Sequence, residues 1–205
     1  MKILAEYALA IVASAALLVG CGASQATNGT PGSLPLSNYH AQKRSQGASR
    51  LTSIVHYVYV TNGRSGKVSA FVMNAKSGAL KPVRGSPFAA GTNPIGVAID
   101  PAGTFVYVTN HGSNNVSAYA VNTSSGALMQ VQGSPFATGR PRTNAVAIDP
   151  TGEFAYVANT GSHRGRVSAF AINASSGALT PVNGSPFRAG DRPMDVVALS
   201  GILES

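Results

Sequence analysis

Charge is scarce in this chain, and acidic charge scarcer still. Of 205 residues only 11% are charged, with 15 Lys and Arg against 7 Asp and Glu, where an average soluble domain carries about 25%. There is one cysteine, which excludes an internal disulfide framework and any zinc site built on several thiolates. Long apolar runs are missing too. The stretch from Tyr7 to Gly20 spans 14 residues, short of the roughly 20 that a membrane-spanning helix needs. What the chain does have is 44% hydrophobic residues, 23 Gly and 12 Pro. That much apolar content excludes disorder throughout. That much Gly and Pro means frequent turns and argues against a protein of long helices. The net charge of +8 points to an anionic partner or serves solubility alone.

The apolar run at the start has the length of a signal-peptide core. Lys2 supplies a weak positive end, and the run closes on Leu18-Val19-Gly20-Cys21. These residues resemble the bacterial lipobox, in which a small residue precedes a Cys that is lipidated and becomes the mature N-terminus. The other reading of Cys21 is a small buried apolar side chain. The expectation is therefore a signal peptide over 1–20 and a lipid anchor at Cys21, holding the protein to a membrane of the bacterial cell envelope. Residues 21–53, rich in Ser, Gly, Ala, Thr, Asn and Gln, show no lasting period and read as a flexible tether.

The remainder is organised by a repeat. Tyr59-Val60-Thr61-Asn62 returns at Tyr107 to Asn110 and as Tyr156-Val157-Ala158-Asn159. Val68-Ser69-Ala70-Phe71 returns at Val116 to Tyr119 and Val167 to Phe170. Ser77-Gly78-Ala79-Leu80 returns at Ser125 to Leu128 and Ser176 to Leu179, and Gly85-Ser86-Pro87-Phe88 at Gly133 to Phe136 and Gly184 to Phe187. The first offset is 48 residues throughout, and the third copy carries two extra residues between Asn159 and Val167.

Each unit reads as four short strands, A to D. Strand A is Ile95 to Ile99, matched by Ala145 to Ile148, and its continuous apolar run predicts a strand buried on both faces. Strands B (Phe105 to Thr109) and C (Val116 to Val121) alternate and are rich in Val, Tyr and Phe. Strand D lies near Leu128 to Val131. Asp100-Pro101-Ala102-Gly103 and Asp149-Pro150-Thr151-Gly152 are tight turns between A and B, and Gly-Ser-Pro-Phe leads to the next unit. A four-stranded unit near 40–50 residues is the size of a propeller blade.

These motifs resemble YVTN-type β-propellers, and more broadly the seven-bladed lactonase family that includes bacterial 6-phosphogluconolactonase and cycloisomerase-like proteins. The resemblance covers about residues 54 to 197. It implies an all-β propeller, with blades near 54–88, 95–136 and 144–187, a lone strand A at 194–199 and a divergent tail at 200–205. Three blades are fewer than the roughly four to eight that close a ring. Two resolutions stand open: two chains sharing blades in a six-bladed homodimer, or a truncated or frameshifted piece of a longer protein.

Propeller geometry puts the B–C and D–A loops on one face. That face collects Arg64, Lys67, His111, Arg140, Arg142, His163, Arg164, Arg166, Arg188, Asp191 and Arg192. The opposite face collects Asp100, Asp149 and Glu153, with Lys76. The basic face suits an anionic small molecule or glycan, and His163, between basic neighbours, is the acid/base candidate. Other bases near that face are His111, Asp191 and Asp195. There is no paired carboxylate, nucleophile elbow or metal-spaced His cluster, and Gly133 to Gly139 is spaced too loosely for a phosphate loop. No metal, cofactor or nucleic acid is expected. A binding module of the envelope is the leading expectation, and a lactonase-like hydrolase is the alternative.

Overall fold

In the computed structural model, the described residues are 54–161 and 164–201. The signal, tether and Cys21 expectations lie outside them, as does His163. Fourteen strands form three antiparallel sheets in chain order. The first holds β1 (His56–Asn62), β2 (Lys67–Met73), β3 (Leu80–Pro82) and β4 (Phe88–Ala89). The second holds β5 (Pro94–Ile99), β6 (Phe105–Asn110), β7 (Asn115–Val121), β8 (Leu128–Gln130) and β9 (Phe136–Ala137). The third holds β10 (Thr143–Ile148), β11 (Phe154–Asn159), β12 (Arg166–Ile172), β13 (Leu179–Pro181) and β14 (Phe187–Arg188). These are three propeller blades, each a short meander on one central strand pair.

Strand D differs from its expected form. It is broken into two pieces, and both pair with strand C: Tyr119 opposes Gln130, and Val116 opposes Phe136. Gly-Ser-Pro is the kink between them. Its serine hydroxyl accepts a hydrogen bond from a strand C amide in all three blades: Ala70 N to Ser86 Oγ, Ala118 N to Ser134 Oγ and Ala169 N to Ser185 Oγ, each 2.9 Å. The motif is thus part of its own blade, because the kink needs a polar group to replace the ladder bond it interrupts.

Two further expectations are corrected. Strand A is not buried on both faces: Ile95 and Ile99 stay about half exposed, because among the described residues no packed layer covers those side chains. Residues 194–199 are not a strand. They repeat the strand A pattern, but among the described residues no strand B stands beside them to complete a ladder.

The core lies between blades. Tyr59, Val68, Val106, Val108, Tyr119 and Leu128 pack the first and second together. Phe105, Tyr107, Val116, Val146, Val157, Phe170 and Leu179 pack the second and third. Hydrogen bonds cross the same seams. Tyr59 donates to Gly126 O and Tyr107 to Gly177 O, both at 3.1 Å. The recurring Asn of strand B braces strand C, with Asn110 Nδ2 donating to Ser117 Oγ and Asn159 Nδ2 to Ser168 Oγ at 2.9 Å.

Candidate functional site

The loops sort to two faces. A cavity of about 850 Å³ is lined by the B–C turn Gly63–Gly66, the D–A segment Ala90–Asn93, and Ser113 and Asn115 of the next B–C turn. A separate hollow on the other side joins the A–B turn residues Ala102 and Gly103 to Thr123 of a C–D loop. The two aspartates of that second side are turn braces. Asp100 accepts from the amides of Thr104 and Phe105 at 2.7 Å, and Asp149 from Phe154 N at 2.8 Å. Burial alone would raise the Asp149 pKa. Hydrogen bonds from the Thr151 hydroxyl and from the amides of Phe154, Thr151 and Glu153 outweigh it and hold the carboxyl below its usual value.

On the first face the backbone is held in an unusual way. Asn93, Arg142 and Arg192 each precede a strand A segment and have φ of 51°, 58° and 52°. A left-handed residue other than glycine costs roughly 1–2 kcal/mol, so the surroundings must fix it. At Asn93 and Arg142 they do so by hydrogen bonds from the B–C loops. His111 N donates to Asn93 O at 2.9 Å and Thr160 N to Arg142 O at 3.0 Å, while Arg142 N donates to Asn114 Oδ1 at 2.6 Å. Non-glycine strain of this kind concentrates at functional loops.

The sequence-selected residues distribute as follows. Arg64 sits in a short helical turn and lines the large cavity. Lys67 starts β2 and opposes Ala89, away from that lining. Arg140, Arg142, Arg164 and Arg192 are exposed along the loops. Arg166 opposes Arg188 across β12 and β14. Its Nη1 donates to Pro186 O at 3.3 Å, and its buried Nε has no partner among the described residues. Among the described residues no three His, Cys, Asp or Glu converge in a metal-holding group.

His111 is different. Its Nδ1 lies 2.9 Å from Asn144 Oδ1. Asn144 turns its Nδ2 toward Pro193 O at 3.5 Å and Met194 Sδ at 3.6 Å, and its carbonyl accepts from the Thr109 hydroxyl. An amide oriented this way offers its oxygen to the ring, so Nδ1–H donates and Nε2 is the ring nitrogen left free of that contact. Asn144, Met194 and Asp195 share a neighbouring hollow of about 280 Å³ with Ile95, Gly96 and Ala145. Among the described residues His111 is a ring whose orientation is fixed by a side-chain amide. Asn144, Asn93, Ser113 and Asn115 were not singled out by the sequence. The one signal for them is position: Asn93 aligns with Arg142 and Arg192 immediately before strand A.

The model of the family described as lactonase, 7-bladed beta-propeller matches residues 51–198. The chain belongs to this lactonase family. Solved structures with the same fold include a candidate 6-phosphogluconolactonase from Bacteroides uniformis, 21% identical over 67% of this chain with TM-score 0.58. Another from Bacteroides fragilis is 22% identical over 68% with TM-score 0.58. The periplasmic gluconolactonase of Pseudomonas aeruginosa is 25% identical over 64% with TM-score 0.53. The chain spans 39%, 37% and 38% of the lengths of those three proteins. No curated protein matches it.

Proposed function

We propose that this lactonase-family chain acts on a sugar-acid lactone at the face formed by its B–C and D–A loops. The observation that carries the reading is the fixed His111–Asn144 pair on that face in a chain of this family. Water attacks the lactone carbonyl carbon and gives its proton to His111 Nε2. The electron pair moves onto the carbonyl oxygen and then returns, the ring C–O bond breaks, and the proton passes to the departing alkoxide. The product is the open hydroxy acid. The exposed guanidinium groups of Arg64, Arg142 and Arg192 supply the attraction for a carboxylate or phosphate on the substrate.

The test is a pH-stat assay of the full chain on gluconolactone and 6-phosphogluconolactone. Hydrolysis above the uncatalysed rate is expected, falling about 100-fold or more in His111→Gln, the usual contribution of a general base. Activity unchanged in that variant refutes the assignment of His111, and no hydrolysis of either lactone refutes the reading. An envelope-anchored binding module is the second reading. It draws on the large cavity, whose polar lining of Thr92, Asn93, Ser113 and Asn115 contains no base. Gluconate binding without lactone opening, together with labelled palmitate incorporated at Cys21, would favour it.

A further inference from the structure

The seam between the first and second blades and the seam between the second and third are built alike, but they carry different side chains. One repeat step takes Thr92, Asn93, Ser113 and Asn115 to Arg140, Arg142, Arg164 and Arg166. The left-handed φ at Asn93 and Arg142 fixes this correspondence before strand A, and the pairings Val116 with Phe136 and Val167 with Phe187 fix it in strand C. In the first seam the four residues are small and polar and line the cavity of about 850 Å³. In the second all four are arginine. Ala137, opposite Asn115, likewise becomes Arg188, opposite Arg166. Five of the chain's ten arginines therefore stand at one seam.

Arg166 and Arg188 face each other directly across β12 and β14, and like charges in that position repel. Strand alternation puts Arg166 on the same side of β12 as Ser168 and Phe170. That side meets the second blade: the Ser168 hydroxyl donates to Thr138 O at 2.8 Å, and Phe170 joins the core between the two blades. Arg166 Nη1 donates to Pro186 O, and its buried Nε has no partner among the described residues. A buried charged donor without an acceptor is costly and calls for a counterpart. The chain supplies none locally. No acidic residue occurs in 138–142, 160–168 or 185–189. Asp100, Asp149 and Glu153 belong to the A–B turns, and Asp191 to the connection that follows β14.

We propose that Arg166 and Arg188 hold a phosphate dianion, with Arg164 beside them. A guanidinium offers paired N–H donors to a tetrahedral oxyanion. A dianion balances both facing cations, where one carboxylate balances only one. This site is separate from the one proposed for the lactone and does not depend on His111. β14 pairs with β12, β12 with β11, and β11 with β10, which carries Asn144. Three inter-strand steps of about 4.8 Å put the arginine pair roughly 14 Å from Asn144 along the blade. Arg166 also reaches toward Pro186, away from β10. Free phosphate and a phosphate ester both present the required group.

Isothermal titration of the full chain with inorganic phosphate, in mildly alkaline buffer, tests the proposal. Saturable binding at one site is expected. Arg166→Met and Arg188→Met keep the apolar stem and should each weaken it about tenfold or more. Arg84→Met, which removes an exposed arginine elsewhere, should leave binding unchanged, and so should His111→Gln. Gluconate should bind at least about tenfold more weakly than phosphate, as a single carboxylate. Glycerol 3-phosphate binding more tightly than inorganic phosphate supports the site with an ester as its occupant, and equal binding supports it with free phosphate. In phosphate-free buffer Arg166→Met should be no less stable to urea than the parent, because it removes the unpartnered donor. A loss of stability with phosphate binding intact marks Arg166 as structural only and overturns the proposal. So does an equal loss of binding in Arg84→Met, which means an adventitious ion only. Absence of saturable binding, gluconate binding as tightly as phosphate, or binding unchanged in Arg188→Met overturns it as well.

Discussion

Replacing Gly177 by Ala tests whether the seams hold the structure together. Gly177 has φ +72°, so any side chain there meets left-handed strain of about 1–2 kcal/mol. It also lies where a Cβ would be 2.3, 2.6 and 2.8 Å from Cδ1, Cε1 and Cγ of Phe105. Cγ is the base of the ring, so a small rotation about χ2 does not clear the clash. Phe105 is itself buried among Tyr107, Val116 and Leu179, and such overpacking costs about 1–3 kcal/mol. The expected total is about 2–5 kcal/mol, a large share of the roughly 5–15 kcal/mol that a domain possesses. Gly103→Ala is the matched control: φ is +71°, and nothing lies within 4 Å of its Cβ. It keeps the left-handed strain and the unfolded-state effect of removing a glycine, but not the clash. Urea unfolding followed by circular dichroism should place the Gly177→Ala midpoint well below that of Gly103→Ala, with equal slopes. Equal midpoints would mean that the seam between the second and third blades yields freely and that the packing argument is wrong.

Two other expectations follow from the same contacts. Tyr107→Phe removes the buried hydroxyl that donates to Gly177 O and should lower stability by about 0.5–1.5 kcal/mol, whereas Tyr57→Phe, whose hydroxyl reaches only the exposed Thr123 O, should cost less in the same urea assay. Asp149 has a depressed folded pKa, so its stabilisation is present above the unfolded carboxylate pKa near 4 and is lost as pH falls through the folded value; Asp149→Asn should be less stable than the parent at neutral pH and equal to it in strong acid, and a gap that persists in acid would show that the carboxylate charge is not the cause.

The repeat made the blade legible because each of its strands has a local signature. Alternating Val, Tyr and Phe marked β6 and β7, and Asp-Pro-x-Gly marked the turn between A and B. What the repeat conceals is the partner of each motif. Tyr107 and Gly177 recur in separate motifs 70 residues apart, and a motif's period does not say that the tyrosine of one unit reaches the glycine of the next. The site is hidden for the same reason. His163 stood out because Arg164 and Arg166 flank it in sequence, whereas His111 has no charged neighbour and owes its orientation to Asn144, 33 residues away.

Residues 194–199 show most clearly where a sequence pattern stops being a structure. Met-Asp-Val-Val-Ala-Leu has the composition of β5 and β10 and the same place in the repeat, yet it forms no ladder among the described residues. β5 and β10 are strands because β6 and β11 supply antiparallel partners. An extended segment without one gains no inter-strand hydrogen bonds to offset the entropy of fixing its backbone, about 1–2 kcal/mol per residue. β1 is the complementary case, since among the described residues it forms a strand through β2 alone. The apolar pattern therefore encodes a strand conditionally, on a neighbouring edge that offers it a ladder. Hydrogen exchange checks this reasoning: the amides of 194–199 should exchange freely while those of β5 and β10 are protected, and equal protection of all three segments would refute it.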